Sequence, residues 1–344
     1  MRELVTIKDV AKRANVSIAT VSAVINNNKF VSEELRQRVD HAIQELGYRP
    51  NKLARSLKKK KTYLIGVIVT EITNPFYPLM LKGVEDAALT SKYNLILSTT
   101  GDDSKREYEL IQSMVDYGVD GIVLATVDKG DSKTIKFLKD ESVPHVLINR
   151  APLNYEGNLV RINSYRAGEM ATDYLIKLGH NDIAFIGGDR LNSWEREKGF
   201  KDTLHKHGIV LKDNRIIMTD YDRDSAYRDI QKFIVQNDLP TAIFAASDIM
   251  AFGTIKALLD SGYKVPDDIS VIGADNITFS EDFQIPLTTI DARAYEIGKI
   301  GCEMLINELK EKDGEFSGQH LLEPTLIERK SCKPLLNSLN NKPV

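Results

Sequence analysis

The chain predicts an all-α helix-turn-helix head followed by a doubly wound α/β body, and three observations carry that prediction. Charge is split: residues 1–61 hold 14 Lys+Arg against six Asp+Glu, a net +8, which leaves −11 for the rest of a chain whose total is −3. Up to Gly47, apolar residues recur at helical spacing in three short blocks. From Tyr63 onward, short apolar runs alternate with amphipathic stretches, the pattern of parallel strands covered by helices. At 344 residues there is room for two or three domains.

Composition narrows the class. Hydrophobic residues make up 42% and charged residues 28%, ordinary for a soluble globular protein. No apolar run is long enough for a membrane span, and Met1 to Asp9 carries charges without an apolar stretch, so neither a span nor a secretory signal is expected. Cys302 and Cys332 stand without metal-ligand spacing and read as two reduced thiols in a cytoplasmic protein.

The first block, Ile7, Val10, Ala11 and Ala14, falls on one face of a helix. Thr6 is placed to cap it, with Asp9 in the first turn. Asn15-Val16-Ser17 breaks the pattern, and Ser17 caps a second helix running to Ile25. Its apolar positions are Ala19 or Thr20, Val21, Val24 and Ile25, which leaves Ser22 and Ala23 as a slim exposed face. Ser32 opens a third helix, packed through Leu35, Val39, Ala42, Ile43 and Leu46, and Gly47 ends it. Two short helices joined by a tight turn and braced by a third make a helix-turn-helix, whose second helix enters the major groove of DNA. A generic three-helix bundle shares the pattern; the clustered positive charge and the small exposed residues of the second helix favour DNA. Charge alone also fits a solvated face or a loose arm.

The run Thr6-Ile7-Lys8-Asp9-Val10-Ala11, with Val16-Ser17, Thr20-Val21-Ser22, Val24-Ile25-Asn26, Leu46-Gly47-Tyr48-Arg49-Pro50-Asn51 and Ala54-Arg55-Ser56-Leu57, closely resembles the headpiece of the lactose/galactose-repressor family of bacterial transcription regulators. The resemblance implies a repressor that binds a pseudo-palindromic operator as a homodimer, has no enzyme activity and answers to a small-molecule effector. It implies DNA contacts from Thr6, Ser17, Ile18, Ala19, Thr20, Ser22, Ala23, Asn26 and Tyr48. It also implies a hinge helix after Pro50, in which Asn51, Arg55 and Lys58 lie near the DNA backbone and Leu57 wedges into the minor groove. Without the resemblance, residues 51–61 read as a basic linker.

The match has one departure. Ile18, Ala19 and Ala23 stand where family members place long polar or aromatic readers, and Ala23 stands where arginine is most common. Small apolar side chains cannot make the bidentate base contacts that supply roughly 1–3 kcal/mol each. Half-sites are therefore expected to depend on thymine methyl groups opposite Ile18 and Ala19, with DNA shape at a kinked centre supplying the rest.

In the body, strands are predicted at Leu64 to Val69, Leu95 to Ser98, Gly121 to Ala125, His145 to Ile148, Ile183 to Gly187, Ala242 to Ala246 and Ser270 to Gly273. Helical patterns lie between them, among them Pro78 to Thr90, Lys105 to Tyr117 and Arg196 to His207. Ligands bind beyond the carboxyl ends of the strands in such architectures. The resemblance adds two periplasmic-binding-protein-like subdomains around a cleft. On that plan the chain divides into a headpiece (1–49), a hinge (50–61), an N-subdomain (62–160 and 292–323) and a C-subdomain (161–291 and 324–334). A disordered tail (335–344) would follow, without the leucine heptads that would build a tetramer.

Polar and aromatic residues cluster at the strand ends: Asn74, Phe76 and Tyr77; Asn149 and Arg150; Trp194 and Arg196; Tyr221; Ser247 and Asp248; Asp275. Singly, each has an ordinary reading. Asn74-Pro75 is a turn, Asp248 a helix N-cap, Arg196 a surface charge and Tyr221 a packed aromatic. Jointly they resemble, position by position, the family's effector contacts and those of sugar-binding periplasmic proteins. Flat rings would meet C–H faces, and amides, guanidinium groups and carboxylates would pair with hydroxyls, so the expected effector is a sugar or sugar derivative. Nucleobase-binding relatives share some of these positions, and a protein co-repressor and a transport-associated sugar-binding protein stay as alternatives. Asp248 and Asp275 invite comparison with a glycosidase pair, but no feature supplies a raised-pKa acid, and no nucleotide, nucleophile-elbow or zinc-protease motif is present. The six histidines are scattered, so no metal and no cofactor are expected.

Overall fold

The computed structural model describes residues 5–48, 61–125, 132–152, 154–310 and 318–335. The predicted contacts Asn51, Arg55, Leu57 and Lys58 lie outside the described residues, as does the tail from residue 336. The chain forms two compact units, Met1–Thr62 and Tyr63–Val344.

The first unit contains α1 (Ile7–Ala14), α2 (Ile18–Asn26) and α3 (Glu33–Leu46). Asp9 accepts from both the backbone N–H and the hydroxyl of Thr6, at 2.8 and 2.7 Å, tying the chain to the first turn of α1. Asn15 ends that helix in the left-handed conformation (φ 51°), and the Ser17 hydroxyl accepts from the Thr20 N–H to start α2. The connecting turn is braced from α3, where Arg38 donates to the carbonyls of Ala14 and Asn15 at 2.7 and 3.0 Å. Val10, Ala14, Val21, Val24 and Val39 fill the small core beneath.

The second unit holds two sheets of matching layout. The first contains β1 (Leu64–Val69), β2 (Asn94–Thr99), β3 (Gly121–Leu124), β4 (His145–Ile148), β5 (Leu159–Ile162) and β11 (Gln319–Leu322), in the order β11-β5-β4-β3-β1-β2 and all parallel. The second contains β6 (Ile183–Gly187), β7 (Ile216–Met218), β8 (Ala242–Ala245), β9 (Ser270–Asp275), β10 (Thr288–Asp291) and β12 (Thr325–Ile327), in the order β12-β10-β9-β8-β6-β7, with β12 antiparallel. In each, the order reverses beside the first strand, and that switch point opens a crevice at the strands' carboxyl ends.

The chain leaves the first sheet after Ile162, returns after Asp291 and crosses again between Leu322 and Thr325. The first sheet therefore extends past residue 160, because β5 pairs with β11 through Arg161↔Leu321 and Ile162↔Leu322. Leu335 is not part of a loose tail: its N–H donates to the Leu178 carbonyl at 2.8 Å.

Helix α4 (Phe76–Thr90) packs on α12 (Ala294–Lys310), and α7 (Ser164–Lys177) packs on α8 (Leu191–Lys206). The second contact is close because it is built on glycine. A Cβ on Gly168 would lie 2.1 Å from the Arg196 carbonyl, and one on Gly199 would lie 2.2 Å from that of Tyr165. Phe200 then reaches Phe185 of β6 at a ring separation of 5.6 Å, fixing α8 on its sheet.

Candidate effector cleft and DNA-binding face

The cleft residues stand at the carboxyl ends of the strands of both sheets. After β1, the Asn74 side-chain carbonyl accepts from the Phe76 N–H at 3.1 Å, a turn that starts α4. Phe76 and Tyr77 follow as an edge-to-face pair, both buried. After β4, the Arg150 N–H donates to the Ile148 carbonyl at 2.7 Å around Asn149 at φ 66°, a γ-turn that redirects the chain. Arg150, itself buried, donates to Thr70 Oγ1 at 2.5 Å and to Asp102 at 3.3 Å.

On the second sheet, α8 begins at Leu191, ahead of the predicted start at Arg196, so Trp194 and Arg196 share one helix. Arg196 is fully buried. It donates to the Ala246 carbonyl, to the Tyr221 hydroxyl at 3.3 Å and to Asp275 at 3.4 Å. The Tyr221 hydroxyl in turn donates to the Ala246 carbonyl at 2.7 Å. Asp275 and Asn276 adopt positive φ (147° and 54°), costly conformations of about 1–3 kcal/mol each that concentrate at functional sites. Burial pushes the Asp275 carboxyl up to about 7, against the opposing pull of Arg196. Burial likewise pushes the Tyr221 hydroxyl up to about 12.

Two predicted residues serve the fold instead. The N-cap of α10 (Asp248–Asp260) is Ser247, whose hydroxyl accepts from the Met250 N–H at 3.3 Å. Asp248 is completely buried, and its carboxylate accepts from the Ile277 N–H and from the hydroxyls of Ser280 and Thr289. With both oxygens so engaged it ties α10 to the segment after β9 and to β10, and serves the fold where an effector contact was expected. Trp194 is 40% exposed, so its ring is not enclosed as a sugar platform would be.

Sequence reasoning missed the residues that join the two sides. Arg190, after β6, reaches Asp102, after β2, with Nε to Oδ2 at 3.0 Å, and lies 3.5 Å from Glu71, after β1. Its guanidinium stacks 4.4 Å from the centre of the Tyr221 ring. Burial would raise the Asp102 carboxyl, but Arg150 and Arg190 outweigh it and hold the group below the usual carboxylate range. Thr70, Glu71, Asp102, Arg190, Asp220 and Tyr221 are among the residues lining a cleft of about 420 Å³. The strand-end rule that found Arg150 applies equally to Asp102 and Arg190. In the sequence, Gly101-Asp102 and Asp189-Arg190 carry no signal beyond the small and polar residues of a turn.

On the headpiece, Ile18 is 45% exposed and Ala19 is also exposed. Ser17 and Thr20 pair their hydroxyls at 2.9 Å, and the Asn26 amide donates to the Ser22 carbonyl at 2.7 Å. Thr6 is exposed, whereas Tyr48 packs partly against the headpiece core. Ala23 departs from its predicted exposure. It is buried on α2 beside Val21 and Val24 of the same helix.

Residues 6–51 match the family described as bacterial regulatory proteins, lacI family, and residues 172–332 match a periplasmic binding protein-like domain. The HTH-type transcriptional repressor PurR of Vibrio atlanticus (strain LGP32) is 36% identical over 334 residues, covering 96% of this chain and all of that protein. This chain belongs to the lacI family. It is accordingly a DNA-binding regulator of transcription and not an enzyme. Another lacI-type relative, the ribose operon repressor of Haemophilus influenzae, is 35% identical over 334 residues, with the same coverage. Among solved structures, a Lac repressor dimer bound to operator and the anti-inducer ONPF superposes with a TM-score of 0.87, at 25% identity, over 96% of this chain and all of that one.

Proposed function

We propose that this lacI-family regulator is a cytoplasmic homodimeric repressor whose hold on a pseudo-palindromic operator is set by a carbohydrate in the cleft. The observation that carries the effector reading is a pair of buried guanidinium Nε donors, on Arg150 and Arg196, that have no hydrogen-bond acceptor among the described residues. Buried donors need partners, and hydroxyl oxygens supply them. Asn74, Asn149, Arg150, Arg196, Tyr221 and Asp275 contribute the polar contacts, Phe76 and Tyr77 the apolar wall, and Arg190 and Asp102 close the opening. The ribose operon repressor among the relatives supports the same ligand class.

On DNA, α2 of each subunit enters a major groove, with Ile18 and Ala19 against thymine methyl groups. The segment 50–61 acts as the hinge between head and body, with Leu57 as the minor-groove wedge. Residues 62–162 and 292–323 form the hinge-proximal half of the sensor, and 163–291 and 324–335 the distal half. Effector favours one arrangement of the two halves, and that arrangement decides whether the paired hinges can form. Coupling of this kind is typically about 1–3 kcal/mol and is reciprocal, so an effector that weakens operator binding is itself bound more weakly on DNA.

The test is a thermal-shift screen of the full chain against monosaccharides, disaccharides and nucleobases. A ligand at a hundredfold excess over Kd stabilises by about 2.7 kcal/mol, which is readily measured. Stabilisation by a sugar, with loss of operator binding in its presence, is the expected result. Stabilisation by nucleobases alone would overturn the carbohydrate reading.

A further inference from the structure

We propose that the cleft admits only uncharged effectors and that Asp102 is the residue that excludes phosphorylated and carboxylated ones. This rests on the effector-cleft reading above and narrows its ligand class. A phosphate or carboxylate entering the cleft would seek guanidinium groups, the side chains best shaped for it. Arg150, Arg190 and Arg196 each already have a carboxylate. Asp102 sits between Arg150 and Arg190, 3.3 Å from the first and 3.0 Å from the second. Glu71 lies 3.5 Å from the other side of Arg190, and Asp275 lies 3.4 Å from Arg196.

The opening carries the same sign further. Among the described residues lining it, Glu71, Asp102, Asp189, Asp220 and Asp222 are acidic and Arg190 is basic. An anion approaching this rim meets a repulsive field before it reaches any guanidinium, and it must then displace Asp102 from two partners at once. The remaining hydrogen-bonding capacity suits a neutral ligand. The Nε groups of Arg150 and Arg196, unpartnered among the described residues, need acceptors, while the carboxylate oxygens around them can each accept a further hydrogen bond. A hydroxyl serves both needs, and a phosphate oxygen only the first.

The experiment compares full-length wild type with Asp102→Asn, Asp102→Ser and Asp102→Glu, following the unfolding midpoint with inorganic phosphate at constant ionic strength. Sugars and their phosphates or uronates are then titrated calorimetrically. Phosphate is expected to stabilise the Asn and Ser variants but not wild type or Asp102→Glu. The preference for a neutral sugar over its phosphate should fall at least tenfold on Asp102→Asn. Phosphate that stabilises all four proteins alike, or none, would overturn the proposal, as would a wild type that prefers a sugar phosphate. If nucleobases bind and sugars do not, the carbohydrate reading fails, while the phosphate comparison still decides the role of Asp102.

Discussion

Arg190 and Asp102 stand at the carboxyl ends of strands in different sheets, and a 3.0 Å hydrogen bond between them spans the cleft. With the 2.7 Å pair between Arg161 on β5 and Glu195 on α8, it holds the two halves of the sensor together by ion pairs. Any effector that changes the separation of the halves must work against these contacts.

The cleft should therefore respond to pH with a definite sign. Asp102 titrates below the usual carboxylate range in the folded chain, so between its folded and unfolded pKa values the unfolded state binds more protons. Its contribution to stability is complete above the ordinary carboxylate pKa of about 4 and is lost as pH falls through the folded value. The difference in unfolding midpoint between wild type and Asp102→Asn should be largest near neutrality and should shrink in acid. Asp275 has the opposite sign. With its pKa raised to about 7, it costs stability as pH climbs from the ordinary carboxylate range through 7. Asp275→Asn should flatten that decline, and a thermal-unfolding series against pH measures both effects.

Arg196→Ala should abolish the response of operator binding to effector while leaving DNA binding in place. It should also destabilise the sensor, because Asp275 loses a buried donor and a cavity replaces the Arg196 side chain. Arg196→Lys keeps the charge but loses the planar fork, so it should recover stability better than ligand response. Denaturant unfolding and operator binding with and without effector separate the two. A normal effector response in both variants would remove Arg196 from the site.

Gly199→Ala should destabilise the sensor by about 1–3 kcal/mol, since the added methyl group meets the Tyr165 carbonyl and forces α7 and α8 apart. Because Arg196 rides on α8, effector affinity should fall with it. Wild-type affinity in a folded Gly199→Ala protein, read by calorimetry, would show that the helix contact does not position the guanidinium.

Replacing thymine by uracil in an operator half-site should weaken wild-type binding by about 0.8 kcal/mol per buried methyl group. Ile18→Ala should be less sensitive to the replacement, because the exposed Ile18 side chain is the larger of the two partners on α2. Equal losses in both proteins, measured by gel shift, would detach Ile18 from base recognition.

Much of this protein is set by its sequence alone. Local pattern determined the three headpiece helices, because capping residues such as Thr6 and Ser17 and the spacing of Val10, Val21 and Val39 act within a few residues of chain. It also determined the central strands and the placing of Asn149, Arg150, Arg196 and Asp275, since in parallel sheets function gathers where apolar runs end. Tertiary structure decided what depends on distant partners. Strands β11 and β12 are short and gain their pairing from segments far along the chain, β5 and β10. Asp248 looks the same as Asp275 in the sequence, yet Ile277, Ser280 and Thr289 close around it and make it structural. The Arg190–Asp102 contact joins residues 88 positions apart on two sheets. No local signal encodes it, because it exists only once both sheets have folded and face each other across the cleft.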